Sequence, residues 1–333
     1  MKKFLKRGLA VLAIGVLALV IGVSLLGALY RPDVSIPTGF KGQHVTVLGN
    51  SIRYVQQGAG RDLLLIHGSP GSVEDWDTVI GELAKDYRVT AYDRPGHGFS
   101  GSAGNLHTYD YHADVALGLV EALELRDVLV VGHSYGGTTA LAIAVRKPAA
   151  VRGIVVLDSA GYRPQDPPSG LYRLLAIPGL GTGFARMIGP NLASRKIREG
   201  LAAHFRGNPP PADFIETRTG IWNQPKVTTT VAHEALQATA QMEAMSPAYK
   251  DIACPTFIAA QDDNAFRRET AERLHREIPS SELLLLSDTG HYVHVEKAGE
   301  VIDWIRKAAG PPVTVPASDP LHSPTEPPSQ SAE

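Results

Sequence analysis

The sequence is poor in cysteine: Cys254 is the only one among 333 residues. That excludes an internal disulfide framework, and a single thiol lacks the companions of a structural zinc site. A lone cysteine reads as a small buried hydrophobe. Charge imbalance is missing as well. Lys and Arg number 32 against 34 Asp and Glu, for a net charge of -2, and no long basic or acidic run interrupts the body of the chain. A nucleic-acid partner is therefore not expected. No internal repeat is visible. Hydrophobic residues make up 44% and charged residues 20%, ordinary values for a globular enzyme with a sizeable core. The length allows one large domain or two small ones.

One absence is local. From Gly8 to Tyr30 there is not a single charged side chain, whereas Met1 to Arg7 carries four basic residues. A helix crossing the bilayer core needs about 20 apolar residues, and this stretch is long enough. A cleaved signal peptide has a shorter apolar region of roughly 7–15 residues ending in a small-x-small site, which Ser24 to Ala28 imitates poorly. An uncleaved signal anchor is the favoured reading. The basic flank should stay in the cytoplasm, placing the rest of the chain on the extracytoplasmic, periplasmic side.

The remainder divides by composition. Residues 31–42 read as a linker. Residues 43–159 alternate short apolar strands with helices, 160–250 are less regular, and 251–310 return to the strand–helix rhythm. Residues 311–333 are Pro/Ser-rich and almost free of bulky apolar side chains, so they are expected to be disordered. Strands are expected at 43–48 and 51–57, as a hairpin around Gly49-Asn50, and at 62–66, 87–92, 128–131, 153–157, 256–260 and 282–286. Helices are expected at 73–85, 109–123, 136–146, 267–278 and 301–308. This alternation predicts an α/β fold with a mostly parallel central sheet flanked by helices. The 160–250 interruption is too long for a plain loop. Its helical pieces, such as 171–176 and 231–245, suggest an inserted, mostly helical lid.

The chemistry-bearing pattern is Gly132-His133-Ser134-Tyr135-Gly136, a G-x-S-x-G motif that follows the strand DVLVV and precedes a helical run. That strand–turn–helix context is the one a nucleophile elbow requires. Glycines let strand and helix pass closely, and a helix N-terminus favours developing negative charge. Ser134 is thus the candidate nucleophile. Its base is expected to be His291, in a loop after the last strand where Gly290 gives room to bend; His294 is the competitor. The orienting carboxylate should sit at a strand's carboxyl edge. Asp263 is favoured over its neighbour Asp262, with Asp158 at the end of strand GIVVL a third candidate in the same layer. An oxyanion hole needs two backbone N–H groups: Tyr135, following the nucleophile, and one from the loop His67-Gly68-Ser69-Pro70-Gly71. Ser69 is the candidate there, since Pro70 cannot donate.

With those residues in place, the chain resembles the α/β-hydrolase superfamily, in the branch of lid-bearing esterases, C–C bond hydrolases, haloperoxidase-like enzymes and epoxide hydrolases. The matching blocks are HGSPGSVEDW, YDRPGHGFS, VGHSYGGTTAL, AQDDNAF and TGHYVHVEKAGEV, spread over the body from Gln43 to Gly310. The resemblance supports His291 over His294, because Glu296 follows five residues later, and supports Asp263, although Gln261 departs from the Gly-containing form common in that block. It implies acyl transfer to water with no metal or organic cofactor and a small-molecule substrate. A carboxylic ester leads, with thioesters, amides and C–C bonds as alternatives. Epoxide hydrolases and haloalkane dehalogenases of this fold carry Asp at the elbow, so Ser134 argues against both. A non-catalytic, ligand-binding protein of the same fold is the alternative of another class. The apolar residues of the insertion, among them Leu171, Leu174, Leu175, Ile177 and Phe184, suit either a hydrophobic substrate group or simple packing.

Overall fold

The computed structural model describes residues 2–30, 42–102, 104, 106–163, 167–187 and 189–311. The expected linker (31–42) and tail (311–333) lie almost wholly outside the described residues. Helix α1 (Lys2–Leu29) precedes β1 (Gln43–Val47), β2 (Asn50–Gln57) and β3 (Asp62–Ile66). Then come a 3-10 turn (Val73–Trp76), α2 (Ile80–Leu83), β4 (Arg88–Tyr92), α3 (Tyr109–Ala122), β5 (Val128–His133), α4 (Tyr135–Val145) and β6 (Val151–Leu157). An insertion follows: α5 (Gly170–Leu175), α6 (Leu180–Met187), α7 (Gly189–Ala203), α8 (Phe214–Trp222) and α9 (Pro225–Met245). The chain closes with β7 (Thr256–Gln261), α10 (Ala265–Glu277), β8 (Ser281–Leu286), α11 (Val293–Glu296) and α12 (Ala298–Ala309).

The eight strands form one sheet in the order β1-β2-β4-β3-β5-β6-β7-β8. β1–β2 and β2–β4 are antiparallel, and every other pairing is parallel. Every residue of β3 and β5 is buried, as expected of parallel strands covered on both faces. The two-residue side-chain period divides them between two cores. Val128 and Val130 pack under α3 and α4, while Leu129 and Val131 pack with Trp76 and α12 on the other face.

Strand order reverses around β3, so the carboxyl ends of β3 and β5 flank a crevice of the kind where ligands gather in open α/β sheets. The helix expected at 73–85 is broken in two. The Val73 N–H donates to Asp93 Oδ1 at 2.7 Å and the Ser72 N–H to Asp75 Oδ2 at 3.2 Å. These bonds hold a tight turn that buries Trp76 instead of a continuous helix. Conversely, α9 starts six residues before the 231–245 stretch, because Pro225 sits in its first turn, where a missing N–H costs nothing.

Candidate active site

Ser134 sits between β5 and α4 with φ 53 and ψ −117, a left-handed conformation that costs a non-glycine residue about 1–3 kcal/mol. The turn closes only because its glycines lack side chains. A Cβ on Gly132 would stand 2.1 Å from the Gly136 carbonyl oxygen, and one on Gly136 would stand 2.1 Å from that of Ile66. The strain lifts the Ser134 hydroxyl to 2.9 Å from His291 Nε2.

His291 is carried by the loop between β8 and α11. Its N–H donates to the His204 carbonyl (2.8 Å), and its own carbonyl lies 2.9 Å from His133 Nε2. Glu296 clasps the loop from below: Oε1 accepts the Gly290 N–H at 2.7 Å and Oε2 accepts the Gly207 N–H at 2.8 Å. His294 is buried elsewhere, against the Trp76 and His133 rings, with its carbonyl accepting the Thr78 hydroxyl (2.8 Å).

The carboxylate facing His291 is not Asp263. His291 Nδ1 lies 2.5 Å from Asp158 Oδ2, and Asp158 is fully buried at the end of β6. Asp263 is exposed and its Oδ2 accepts the Asp288 N–H at 3.0 Å; Asp262 pairs with Arg268 at 3.2 Å. The physical reason lies in Gln261, the last residue of β7. Its backbone N–H donates to Asp158 Oδ1 (3.1 Å) and its side-chain amide to Asp158 Oδ2 (2.8 Å). The chain has turned away by the time it reaches Asp263, and Gln261 completes a donor set around Asp158 instead.

The loop after β3 passes directly beside Ser134: a Cβ on Gly68 would stand 3.2 Å from Ser134 Cβ. Ser69 and Ser134 share the wall of one cavity of about 430 Å³, which the insertion roofs with Tyr172, Leu175, Phe184, Trp222 and Val231. Tyr135 opens α4, one residue beyond Ser134. Arg94 holds the loop in place, donating through Nη2 to the Gly68 carbonyl (2.7 Å) and through Nε to that of His67 (3.2 Å). Among the described residues, no three His, Cys, Asp or Glu side chains gather as metal ligands.

The sequence profile of the alpha/beta hydrolase family matches residues 63–304, more than half of the chain. The 2-hydroxy-6-oxo-2,4-heptadienoate hydrolase of Pseudomonas putida is 30% identical over 72% of this chain and 86% of its own. The chain belongs to the α/β-hydrolase family. The 2-hydroxymuconate semialdehyde hydrolase of Pseudomonas sp. (strain CF600) is 40% identical, but over 36% of this chain and less than half (44%) of its own length. The crystal structure of the enol-lactonase from Burkholderia xenovorans LB400 superposes with a TM-score of 0.65 at 19% identity, covering 80% of this chain and 99% of that one, a likeness of fold.

In this α/β-hydrolase the electrostatics around His291 favour a neutral imidazole. Burial pushes its pKa below the ordinary 6.5, and the Arg267 cation pushes the same way; the Asp158 hydrogen bond and charge oppose them. Burial alone would raise Asp158, but its hydrogen bond to His291, the charges of His291 and Arg267 and the Gln261 amide outweigh it and hold the carboxyl below its usual range. The pair is therefore a carboxylate beside an unprotonated base. Arg267 lowers both pKa values, its Nε being 3.7 Å from Asp158 Oδ2 and its Nη1 donating to the Asp158 carbonyl (3.0 Å).

A reaction that used neutral His291 as its base would be lost as pH falls through the folded pKa, so the acidic limb of kcat/KM is expected below 6.5. Arg267→Gln removes a cation that disfavours imidazolium, leaving Asp158, His133 and His204 around the ring. The limb should then move to higher pH, measured as kcat/KM for a soluble ester from pH 4.5 to 8. An unmoved limb would refute this role for Arg267.

Proposed function

We propose that the protein is a serine hydrolase that transfers an acyl group from a hydrophobic carboxylic ester to water, through Ser134, His291 and Asp158. The supporting observation is the continuous chain from the Ser134 hydroxyl through His291 to a buried Asp158, at 2.9 and 2.5 Å, opening into an apolar cavity. His291 accepts the Ser134 proton as the oxygen attacks the ester carbonyl, and the Ser69 and Tyr135 N–H groups receive the oxyanion. The imidazolium, held by Asp158, returns the proton to the departing alcohol. Water, deprotonated by His291, then attacks the acyl-enzyme and releases the acid and free Ser134.

The cavity lining favours an uncharged substrate. Lys196 is the only cationic side chain among the described cavity residues; it is two-thirds exposed and 3.5 Å from Glu199, so a buried carboxylate would find no desolvated counter-ion there. Hydrolysis of a C–C bond is the second reading, favoured by the name of the P. putida relative. A panel of p-nitrophenyl esters of increasing chain length, with a C–C hydrolase substrate alongside, separates the two.

Helix α1 belongs to the same proposal as an uncleaved membrane anchor, with Lys2, Lys3, Lys6 and Arg7 on the cytoplasmic side and the hydrolase body outside. Its apolar stretch runs from Lys6 to Leu29, 24 residues at a mean hydropathy of 2.9, and the part of it before Val20 is exposed. A fluorophosphonate probe tests the serine chemistry. Wild type should be labelled and Ser134→Ala should not; unlabelled wild type, or labelled Ser134→Ala, would overturn the reading.

A further inference from the structure

The carboxyl-terminal third of α1 packs against the insertion. A Cβ on Gly27 would stand 2.2 Å from Gly183 Cα, and one on Gly183 would stand 2.5 Å from the Val23 carbonyl oxygen. A Cβ on Gly179, in the turn just before α6, would stand 2.7 Å from the Ser24 hydroxyl. Small residues four apart allow the close backbone approach typical of helix pairs in membranes. Arg186 closes the contact by donating to the Gly27 carbonyl at 2.9 Å, a cation at a helix C-terminus where the dipole favours it.

This docking sets a depth. At 1.5 Å per residue the 24-residue stretch is about 36 Å long, against about 30 Å of bilayer hydrocarbon. Val23 lies only about 9 Å from the Leu29 end on the same scale, so α6 meets the anchor within the outer half of the membrane. The surface there is apolar. Among the described residues beyond Tyr30, six large hydrophobic side chains are exposed, and four of them, Leu171, Ile177, Met187 and Leu192, fall between α5 and α7. Two of those four, Leu171 and Leu192, also line the cavity above Ser134. The cavity wall therefore reaches the surface on α5 and α7, which pack against α6, the helix that meets the anchor.

We propose that this α5–α7 face lies in the outer leaflet of the bilayer and that the enzyme takes long-chain acyl esters laterally from the membrane into the Ser134 cavity, hydrolysing each to its acid and alcohol with one water. The inference rests on both the anchor and the serine-hydrolase readings above.

The test uses the full-length chain reconstituted in phosphatidylcholine vesicles. Two substrates are compared: p-nitrophenyl palmitate dissolved in the bilayer and p-nitrophenyl acetate in the aqueous phase. Ile177→Glu combined with Met187→Glu places two carboxylates on the apolar face without touching a cavity residue. The double variant should lose at least tenfold on the palmitate while its acetate rate stays within twofold. Equal rates on both substrates would overturn the proposal. A fluorophore on Ile177→Cys, in a Cys254→Ser background, gives a second readout that does not depend on the glutamates being tolerated. Lipids brominated on their acyl chains should quench it, and absence of quenching in active, membrane-bound protein would overturn the proposal alone. Release of the wild-type chain by alkaline carbonate would instead overturn the anchor reading, and failure to turn over either ester would overturn the hydrolase reading; the proposal falls with either.

Discussion

Replacing Asp158 with Asn is expected to lower kcat by about 10⁴-fold, the scale on which an orienting carboxylate acts in a Ser–His–Asp arrangement, while Asp263→Asn is expected to stay within a few-fold of wild type. The asymmetry follows from what surrounds each carboxyl. Asp158 faces only donors: the Gln261 N–H on Oδ1, and the Gln261 side-chain amide with His291 on Oδ2. An Asn amide must turn its NH₂ toward one of these groups. Set at the Oδ1 position, it meets the Gln261 N–H donor against donor across a buried contact. Set against His291, it demands that Nδ1 accept, which moves the ring proton to Nε2 and leaves that nitrogen unable to take the Ser134 proton. Asp263 supports only an exposed turn through the Asp288 N–H. Steady-state kinetics on a soluble p-nitrophenyl ester decides between them. Full activity in Asp158→Asn, or a collapse in Asp263→Asn, would return the role to Asp263.

The elbow was legible because its requirements are local. A glycine on either side, a β-branched strand before it and a helical run after it specify the Ser134 turn without reference to distant residues. His291 was legible for a similar reason, since Gly290 and Glu296 shape its loop. The carboxylate that meets His291 was not legible from chain order, because Asp158 and Asp263 both lie between Ser134 and His291 and both stand near a strand's carboxyl end. What separates them is a contact between two strands 103 residues apart, in which Gln261 turns its amide onto Asp158. The departure of Gln261 from the usual glycine-containing block was the visible trace of this. Read as a donor rather than as a tolerated variation, it would have pointed to a carboxylate on the neighbouring strand. Arg94 stood inside a recognisable block, YDRPGHG, yet its partner did not. Glu234 lies in the insertion, where no periodicity distinguishes a glutamate aimed inward from the exposed ones around it.

Glu234→Ala is expected to destabilise the fold by about 3–5 kcal/mol, the usual cost of leaving one member of a buried ion pair without its partner. Glu234 on α9 and Arg94 after β4 are both essentially inaccessible, with Oε1 and Nη1 2.5 Å apart. His97 and His112 approach the same oxygen at 3.1 and 3.0 Å. Burial alone would raise the Glu234 pKa, but Arg94 and the two imidazoles outweigh it and hold the carboxyl well below its usual range. A carboxyl with a depressed folded pKa contributes its stability above the unfolded value, about 4.5, and loses it only as pH falls through the folded one. Burial also lowers both histidines, His112 to about 3, so their protonation favours unfolding below about pH 6.5. Urea unfolding of the full-length protein in detergent at pH 8 isolates the ion pair from that histidine effect. The consequence should reach the chemistry. The guanidinium that Glu234 neutralises also grips the Gly68 and His67 carbonyls and lies 4.4 Å from the centre of the Tyr135 ring. One buried pair thus ties the insertion to both segments expected to bind the oxyanion. Glu234→Gln keeps an acceptor oxygen for Arg94 and should lose less stability than Glu234→Ala, with kcat falling in the same order. A Glu234→Ala protein as stable and as active as wild type would mean that α9 is held to the core by its other contacts, such as Lys226 to the Ser100 carbonyl and Gln241 to the Tyr109 N–H.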